Sequence, residues 1–269
     1  MSKKRIVLKY GGNAMTDAAI QEKLIEELCQ LKEKGHEIII VHGGGPFIQE
    51  ALDRAGIESE FISGQRKTSK EAFEQVEMVL KGKVNGRLVN LINKLGYRAV
   101  GLSGKDGHLV TAKKRYHLTE TDGITSKTDL GMVGDVDKVH TDLLELLLAN
   151  DYMPVITCIA SDREGNDFNI NGDVFAGHIA AALRADEYIV LTDVDGLMRD
   201  IKDPSSVIRS LRLNEISELV EQKIIVGGMI PKIEACANAI TKGTHKVRIL
   251  NGTKPEQLNE ADSGTEIIA

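Results

Sequence analysis

Two short apolar runs, Arg5 to Lys9 (RIVLK) and Glu37 to Val41 (EIIIV), each lead into a cluster of glycines. Between them, Ile20, Leu24, Leu28 and Leu31 recur at three- and four-residue spacing. A short apolar run that does not alternate with polar residues reads as a strand buried on both faces, and the spaced residues read as the inner face of a helix. Asp17 is the expected N-cap of that helix and Gly35 its C′ residue. A second helix is expected from Pro46 to Ala55, directly after Gly43-Gly44-Gly45. The first 55 residues thus read strand, turn, helix, strand, turn, helix, and that order commits the chain to an α/β sheet.

The alternation continues. Gly56 to Ser63 suggests a hairpin, and Thr68-Ser69-Lys70-Glu71 is a capping-box pattern that opens a helix carrying Phe73, Val76, Val79 and Leu80 inward. A separate helix is expected from Lys83 to Leu95, a strand from Tyr97 to Leu102, hairpins over 108–138, a helix from His140 to Asn150 and a strand from Met153 to Ile159. The helix from Asp173 to Leu183 is rich in Ala and Gly, which suits close packing. After it come a strand from Tyr188 to Thr192, helices from Asn214 to Gln222 and from Pro231 to Lys242, and strands from His245 to Asn251 and Gly264 to Ala269. At 269 residues the chain suits one unit with two lobes, 1–183 and 184–269, divided after the small-residue helix.

Composition removes several classes of function. With no Trp and 4% aromatic residues there is little to stack single-stranded bases on, and a net charge of -6 without a dense basic run argues against a nucleic-acid partner. The start of the chain has no signal-peptide core, and no apolar run is long enough for a membrane span, so a cytoplasmic protein is expected. Cys29, Cys158 and Cys236 form no CxxC pair and each sits in an apolar run, which suits buried free thiols.

The chain has no G-x-x-x-x-G-K-[ST], no G-x-G-x-x-G and no His-Arg-Asp or Asp-Phe-Gly set. The P-loop, Rossmann and protein-kinase routes to a nucleotide are therefore unsupported. Gly11-Gly12 and Gly43-Gly44-Gly45 each follow a strand and precede a helix. Glycine lets backbone N–H groups approach an anion, and a helix start adds a positive dipole end. Either cluster alone is better read as a tight turn; two at neighbouring strand ends, where open α/β sheets bind ligands, favour an anion site. Lys9 ends a buried strand beside one cluster, and Lys232 follows the pair Gly227-Gly228. Asp173, in Asn169-Ile170-Asn171-Gly172-Asp173, either caps its helix or stands between the two lysines and holds them. Arg66 is either a solvated loop residue or a two-pronged grip on a carboxylate. Asp193-x-Asp195-Gly196 is too short for an EF-hand loop and suits a turn beside a nucleotide. His42 has no His or Cys partner at metal-ligand spacing, and a structural role is expected.

These pieces together resemble the amino acid kinase family. The resemblance runs from the Lys9-Tyr10-Gly11-Gly12 strand end to the last strand. Its most specific parts are Val41-His42-Gly43-Gly44-Gly45-Pro46, Gly64-Gln65-Arg66-Lys67-Thr68, Gly101-Leu102-Ser103-Gly104-Lys105-Asp106-Gly107 and Gly227-Gly228-Met229-Ile230-Pro231-Lys232. Asn169-Ile170-Asn171-Gly172-Asp173 is similar to the family's Asn-Val-Asn-Ala-Asp, with Gly172 in place of Ala. The resemblance implies a three-layer αβα sandwich around a mainly parallel sheet, with an acyl-amino acid held by the first lobe and ATP by the second. It implies that Lys9 and Lys232 stabilise the phosphoryl group in transfer and that Asp173 orients both. Gly44, Gly45, Arg66 and Asn169 would contact the acceptor, and Gly11, Gly12, Asp193, Gly196 and Met198 the nucleotide. Magnesium would arrive with ATP, held mainly by phosphate oxygens.

The Arg66-bearing piece points to the branch of the family that phosphorylates the γ-carboxylate of N-acetyl-L-glutamate, in arginine biosynthesis. The alternatives are a same-fold kinase acting on a carrier-linked glutamate or on aminoadipate, and a non-catalytic nucleotide-binding protein. A γ-carboxyl with a reference pKa of ~4.3 is already ionised at neutral pH, so it needs positioning and positive charge but no general base. The resemblance implies pairing through the first lobes, so a homodimer, not a hexamer, is expected, and one insensitive to arginine. Only Met1 to Lys4 precede the first strand, too few for the extra helix that links dimers into a ring in arginine-inhibited members of the family, and the stretch Glu256 to Thr265 lacks the aromatic residue associated with their arginine pocket.

Overall fold

The computed structural model describes residues 2–62, 64–121 and 124–269. Its middle layer is an eight-stranded sheet. In spatial order the strands are Ser210–Arg212, Thr265–Ile268, Lys246–Asn251, Glu187–Thr192, Arg5–Tyr10, Glu37–His42, Met153–Thr157 and Ala99–Ser103. The last six run parallel, and Thr265–Ile268 is antiparallel to its neighbour Lys246–Asn251. Helices flank the sheet: Ala18–Glu33 packs with Asn85–Lys94, and Gly172–Ala182 with Met229–Thr241. This is the expected αβα sandwich.

The first strand lies in the middle of the sheet, between Glu37–His42 and Glu187–Thr192. Val7, Leu8, Ile38, Ile39 and Ile40 have no exposed surface, which accounts for the unbroken apolar runs. Asp17 caps the helix Ala18–Glu33 as expected, its carboxylate accepting from the N–H groups of Ala19 and Ile20 at 2.9 and 3.0 Å. The small-residue helix packs closely: a Cβ on Gly177 would lie 2.9 Å from the Ala235 carbonyl oxygen.

Three expectations need revision. The two helices over 68–95 are one continuous rod. An α-helix at Lys70–Glu77 runs into a π-helical stretch at Met78–Val84 and on into the α-helix Asn85–Lys94. Gly82 does not end it, because Val79, Leu80 and Val84 are all buried, and that burial outweighs the ~1 kcal/mol a helical glycine costs. The hairpin expected within Gly56–Ser63 instead pairs Phe61–Ile62 with Gln65–Arg66; Ser63 lies outside the described residues. The hairpins expected over 108–138 are one long antiparallel pair, Val110–Thr121 with Ile124–Val139. With Ile159–Ser161 and Asp167–Ile170 this pair closes a small four-stranded barrel beside the carboxyl ends of the main strands.

Candidate active site

Three charges meet where the first strand, the small-residue helix and the helix Met229–Thr241 converge. The Lys9 side chain folds back over the strand end; a Cβ on Gly11 would lie 2.7 Å from its Nζ, so the close approach needs glycine there. Lys9 Nζ lies 3.0 Å from Asp173 Oδ1, and Lys232 Nζ donates to Asp173 Oδ2 at 2.9 Å. The Lys9 contact is one of charge rather than an aligned hydrogen bond, since Oδ1 has no partner of good geometry. Asp173 does not cap its helix. Asn171 does, accepting from the N–H groups of Asp173 and Val174 at 2.9 and 3.2 Å, which leaves the Asp173 carboxylate for the lysines. Tyr188 Oη donates to the Asp173 carbonyl at 3.0 Å and fixes its backbone.

Lys9 and Asp173 are buried, and Lys232 nearly so. Burial alone would raise the Asp173 pKa, but the two ammonium groups outweigh it and hold the carboxyl below the usual range. Burial alone would lower Lys9, but Asp173 outweighs it and holds Lys9 above the ordinary lysine value. Lys232 is pulled below that value by burial first and then by repulsion from Lys9. The cluster carries one carboxylate against two cations, so an excess positive charge sits at the strand ends.

A cleft of about 200 Å³ opens beside this cluster. Gly44, Gly45, Arg66 and Asn169 all line it, so four residues read separately in the sequence share one cleft. Its inner end abuts the charge cluster: a Cβ on Gly172, also in the wall, would lie 3.5 Å from Lys9 Cε. Arg66 is half-buried, stacks on Phe61 at 4.5 Å from the ring centroid, and donates to Gln49 Oε1 at 2.8 Å and to the Ser59 hydroxyl. Those contacts aim the guanidinium, and burial lowers its pKa. Cleft residues missed by sequence reasoning are Phe61, Leu80, Cys158 and the pair Arg115–Asp135, whose charged groups lie 2.6 Å apart. Arg115 and Asp135 belong to the long hairpin, where nothing local marked them.

On the other side, Gly12 adopts φ +75°, and a Cβ there would lie 2.9 Å from Asp193 Oδ1. The Gly11-Gly12 turn and Asp193 are therefore neighbours, although 180 residues of chain separate them. Gly196 is buried against Thr265, and Met198 makes a bridge with Val207 further out. Asp195 is bound to Asn251 and Lys254 at 2.9 and 2.8 Å, so it braces the turn. In the Ser103 to Gly107 turn, Asp106 accepts from Ser103 and Lys81, while Lys105 reaches Glu77 and Asp167 at 2.7 and 2.8 Å. That turn ties the long helix to the small barrel. All three cysteines are buried and unpaired. Among the described residues no helix is long and apolar enough to cross a membrane.

Comparison with known proteins matches residues 4–251 to the amino acid kinase family. The chain is 44% identical to the acetylglutamate kinase of Methanococcus aeolicus over 254 residues, covering 94% of this chain and 86% of that one. It is 46% identical to the acetylglutamate kinase of Heliobacterium modesticaldum over 258 residues, covering 96% and 88%. Among solved structures, smu.665 of Streptococcus mutans superposes with a TM-score of 0.81 at 28% identity, covering 98% of each chain. A Giardia carbamate kinase shares the fold, with a TM-score of 0.72 at 17% identity over 100% of this chain and 99% of that one.

Proposed function

We infer that this chain, which belongs to the amino acid kinase family, transfers the γ-phosphoryl group of ATP to the γ-carboxylate of N-acetyl-L-glutamate, a step of arginine biosynthesis. The observation that carries the reading is the Asp173 carboxylate held between Lys9 and Lys232 at the inner end of a cleft that Arg66 lines. Relatives named acetylglutamate kinase, about 45% identical over nearly the whole chain, support the choice of acceptor.

The acceptor carboxylate is already an anion, so no residue has to remove a proton from it. Its oxygen attacks the γ-phosphorus, the bond from phosphorus to the β–γ bridging oxygen breaks, and ADP leaves with that oxygen. Lys9 and Lys232 supply positive charge to the oxygens of the transferring group, and Asp173 keeps the two ammonium groups from drifting apart. Arg66 and Asn169, with Gly44 and Gly45, hold the acceptor in the first lobe, residues 1–183. Gly11 and Gly12, with Asp193, Gly196 and Met198, hold the nucleotide against the second, residues 184–269. Magnesium carried on the phosphates would offset their charge. Asp173, with both oxygens within 3.0 Å of an ammonium group, suits an organiser of lysines better than a metal ligand. A homodimer is the proposed assembly, and the exposed Met78 on the long helix suits a face that association would cover.

ADP release measured with N-acetyl-L-glutamate, glutamate and aminoadipate side by side tests the reading, with the acyl phosphate trapped by hydroxylamine. Turnover should be specific to N-acetyl-L-glutamate. A preference for aminoadipate, or no acyl phosphate with any acceptor, would overturn it.

A further inference from the structure

His42 is fully buried at the end of its strand, and no step above uses it. Its neighbours determine which ring nitrogen carries the proton. The Val155 carbonyl oxygen can only accept, so the Asn85 side-chain atom 2.9 Å from it is the amide nitrogen. The second hydrogen of that nitrogen is directed to His42 Nε2, also 2.9 Å away. Nε2 therefore accepts, and the ring proton sits on Nδ1. That Nδ1–H donates to the Gly43 carbonyl oxygen at 2.9 Å. Burial keeps the ring neutral, lowering its pKa to about 4.

The Gly43 carbonyl is thus pinned toward His42. Across a planar trans peptide, N–H and C=O point in opposite directions, so the Gly44 N–H faces away from the histidine. Gly44 is in the cleft wall, and its partner in the peptide, Gly43, sits at the inner end: Gly43 Cα lies 4.0 Å from where a Gly172 Cβ would be, beside Lys9. A peptide turned the other way would present a carbonyl oxygen to the same place and repel an anion.

We propose that His42 and Asn85 are positioning residues, a buried relay that sets the Gly43–Gly44 peptide so that the Gly44 N–H donates to an oxygen of the group in transfer. The relay begins at Val155 in the sheet, passes through the first residue after the π-helical stretch, and ends at the reacting centre. Neither side chain touches substrate. The proposal rests on the phosphoryl-transfer reading above, but its geometric half can be tested without it.

Nitrogen-15 NMR of the imidazoles in the wild-type protein reads the tautomer directly. His42 should show a protonated Nδ1 and a bare Nε2; a proton on Nε2 would overturn the relay whatever the activity. In kinetics, His42→Phe removes the donor at similar volume and should lower kcat by about 10–100-fold, less than the ~10²–10³ for outright loss of one such donor. KM for ATP should stay within about threefold, and KM for the acceptor, whose cleft Gly44 also lines, should change less than kcat, because the lost contact serves the group in transfer. His42→Asn, whose amide nitrogen falls near the Nδ1 position, should recover most of that loss. Unchanged kcat in a folded His42→Phe, or a folded His42→Asn no better than the phenylalanine variant, would overturn the proposal. Should wild type itself show no kinase activity, the functional reading fails, and the nitrogen spectrum still decides whether the relay exists.

Discussion

Replacing Asp173 with Asn keeps the side-chain shape and removes one charge from a buried cluster of three. In the wild type the carboxylate stands 3.0 and 2.9 Å from two ammonium groups. Removing one member of a buried ion pair costs about 3–5 kcal/mol, because the partners remain desolvated without compensation. Here two cations would be left facing each other. For a chain of this size ~1 kcal/mol moves Tm by roughly 2–4 °C, so a loss on the order of 6–20 °C is expected near neutral pH.

The variant has one escape, which makes the prediction sharper. Lys232 is already held below the ordinary lysine value by burial and by Lys9, and without Asp173 it should fall further. Its unfolded form then binds more protons than its folded form, so the stability of Asp173→Asn should rise with pH toward the unfolded lysine value of ~10.4. In the wild type Lys232 gives the same rise in a shallower form, and Lys9 opposes it only above the unfolded lysine value. Lys9 is held above its ordinary value, so its contribution is complete below the unfolded value and is lost as pH rises through the folded one. Asp173 is held below its ordinary value, so its contribution is present above the unfolded value of ~3.9 and is lost as pH falls through the folded one. Calorimetric melts of both proteins from pH 6 to 10 are the assay. An Asp173→Asn protein that melts within about 2 °C of wild type at pH 7, with no rise at higher pH, would refute the charge-cluster argument.

Lys9→Ala and Lys232→Ala should each lower kcat by about 10²–10³, as steady-state kinetics would show; near-native kcat in either would remove that lysine from the transfer step. Arg66→Ala, losing the guanidinium braced by Gln49 and Phe61, should raise KM for N-acetyl-L-glutamate far more than KM for ATP; equal effects on both would rule out its role as the acceptor clamp. Gly172→Ala should be tolerated and should stabilise the helix by up to ~1 kcal/mol, because the added methyl would meet only ordinary contacts of 3.5 to 4.0 Å; a lowered melting temperature would contradict that. Gly44→Ala at the cleft wall should do the reverse, since its methyl would lie 2.8 Å from Leu80 Cδ2; the same melts compare the two.

The parts of the site that could be read from sequence are those where a strand end, a turn and a helix start follow one another. Lys9 with Gly11, Gly44 with Gly45, and the Asn171-Gly172-Asp173 helix start each carry their geometry in a few consecutive residues. Sequence could offer Asp173 as a cap or as a bridge between lysines. The choice depended on Asn171 taking the cap and on Lys232 arriving from 59 residues away. Arg115 and Asp135 left no local signal, because the pairing of a long hairpin brings them to the cleft. Tyr188 looked like an ordinary strand residue, and its hydroxyl bond to the Asp173 backbone is purely tertiary. The helix from Lys83 read as a separate one, but three buried aliphatic residues, Val79, Leu80 and Val84, hold the rod together through Gly82.

The central place of the first strand has a consequence for how the protein is made. Arg5–Tyr10 leaves the ribosome before every other strand of the sheet, and Glu37–His42 can cover one of its edges soon afterwards. Its other edge belongs to Glu187–Thr192, roughly 180 residues later. At ~5–20 residues per second that strand is synthesised on the order of 10–35 seconds after the first. Until then a strand with the apolar centre Ile6-Val7-Leu8 has an open row of backbone donors and acceptors, a template for pairing with another nascent chain. Lys9, at the end of that strand, also lacks its counter-charge until Asp173 is translated. Co-translational holding of this edge, rather than the final fold, is therefore where the yield of the protein should be most sensitive to temperature and to the speed of translation.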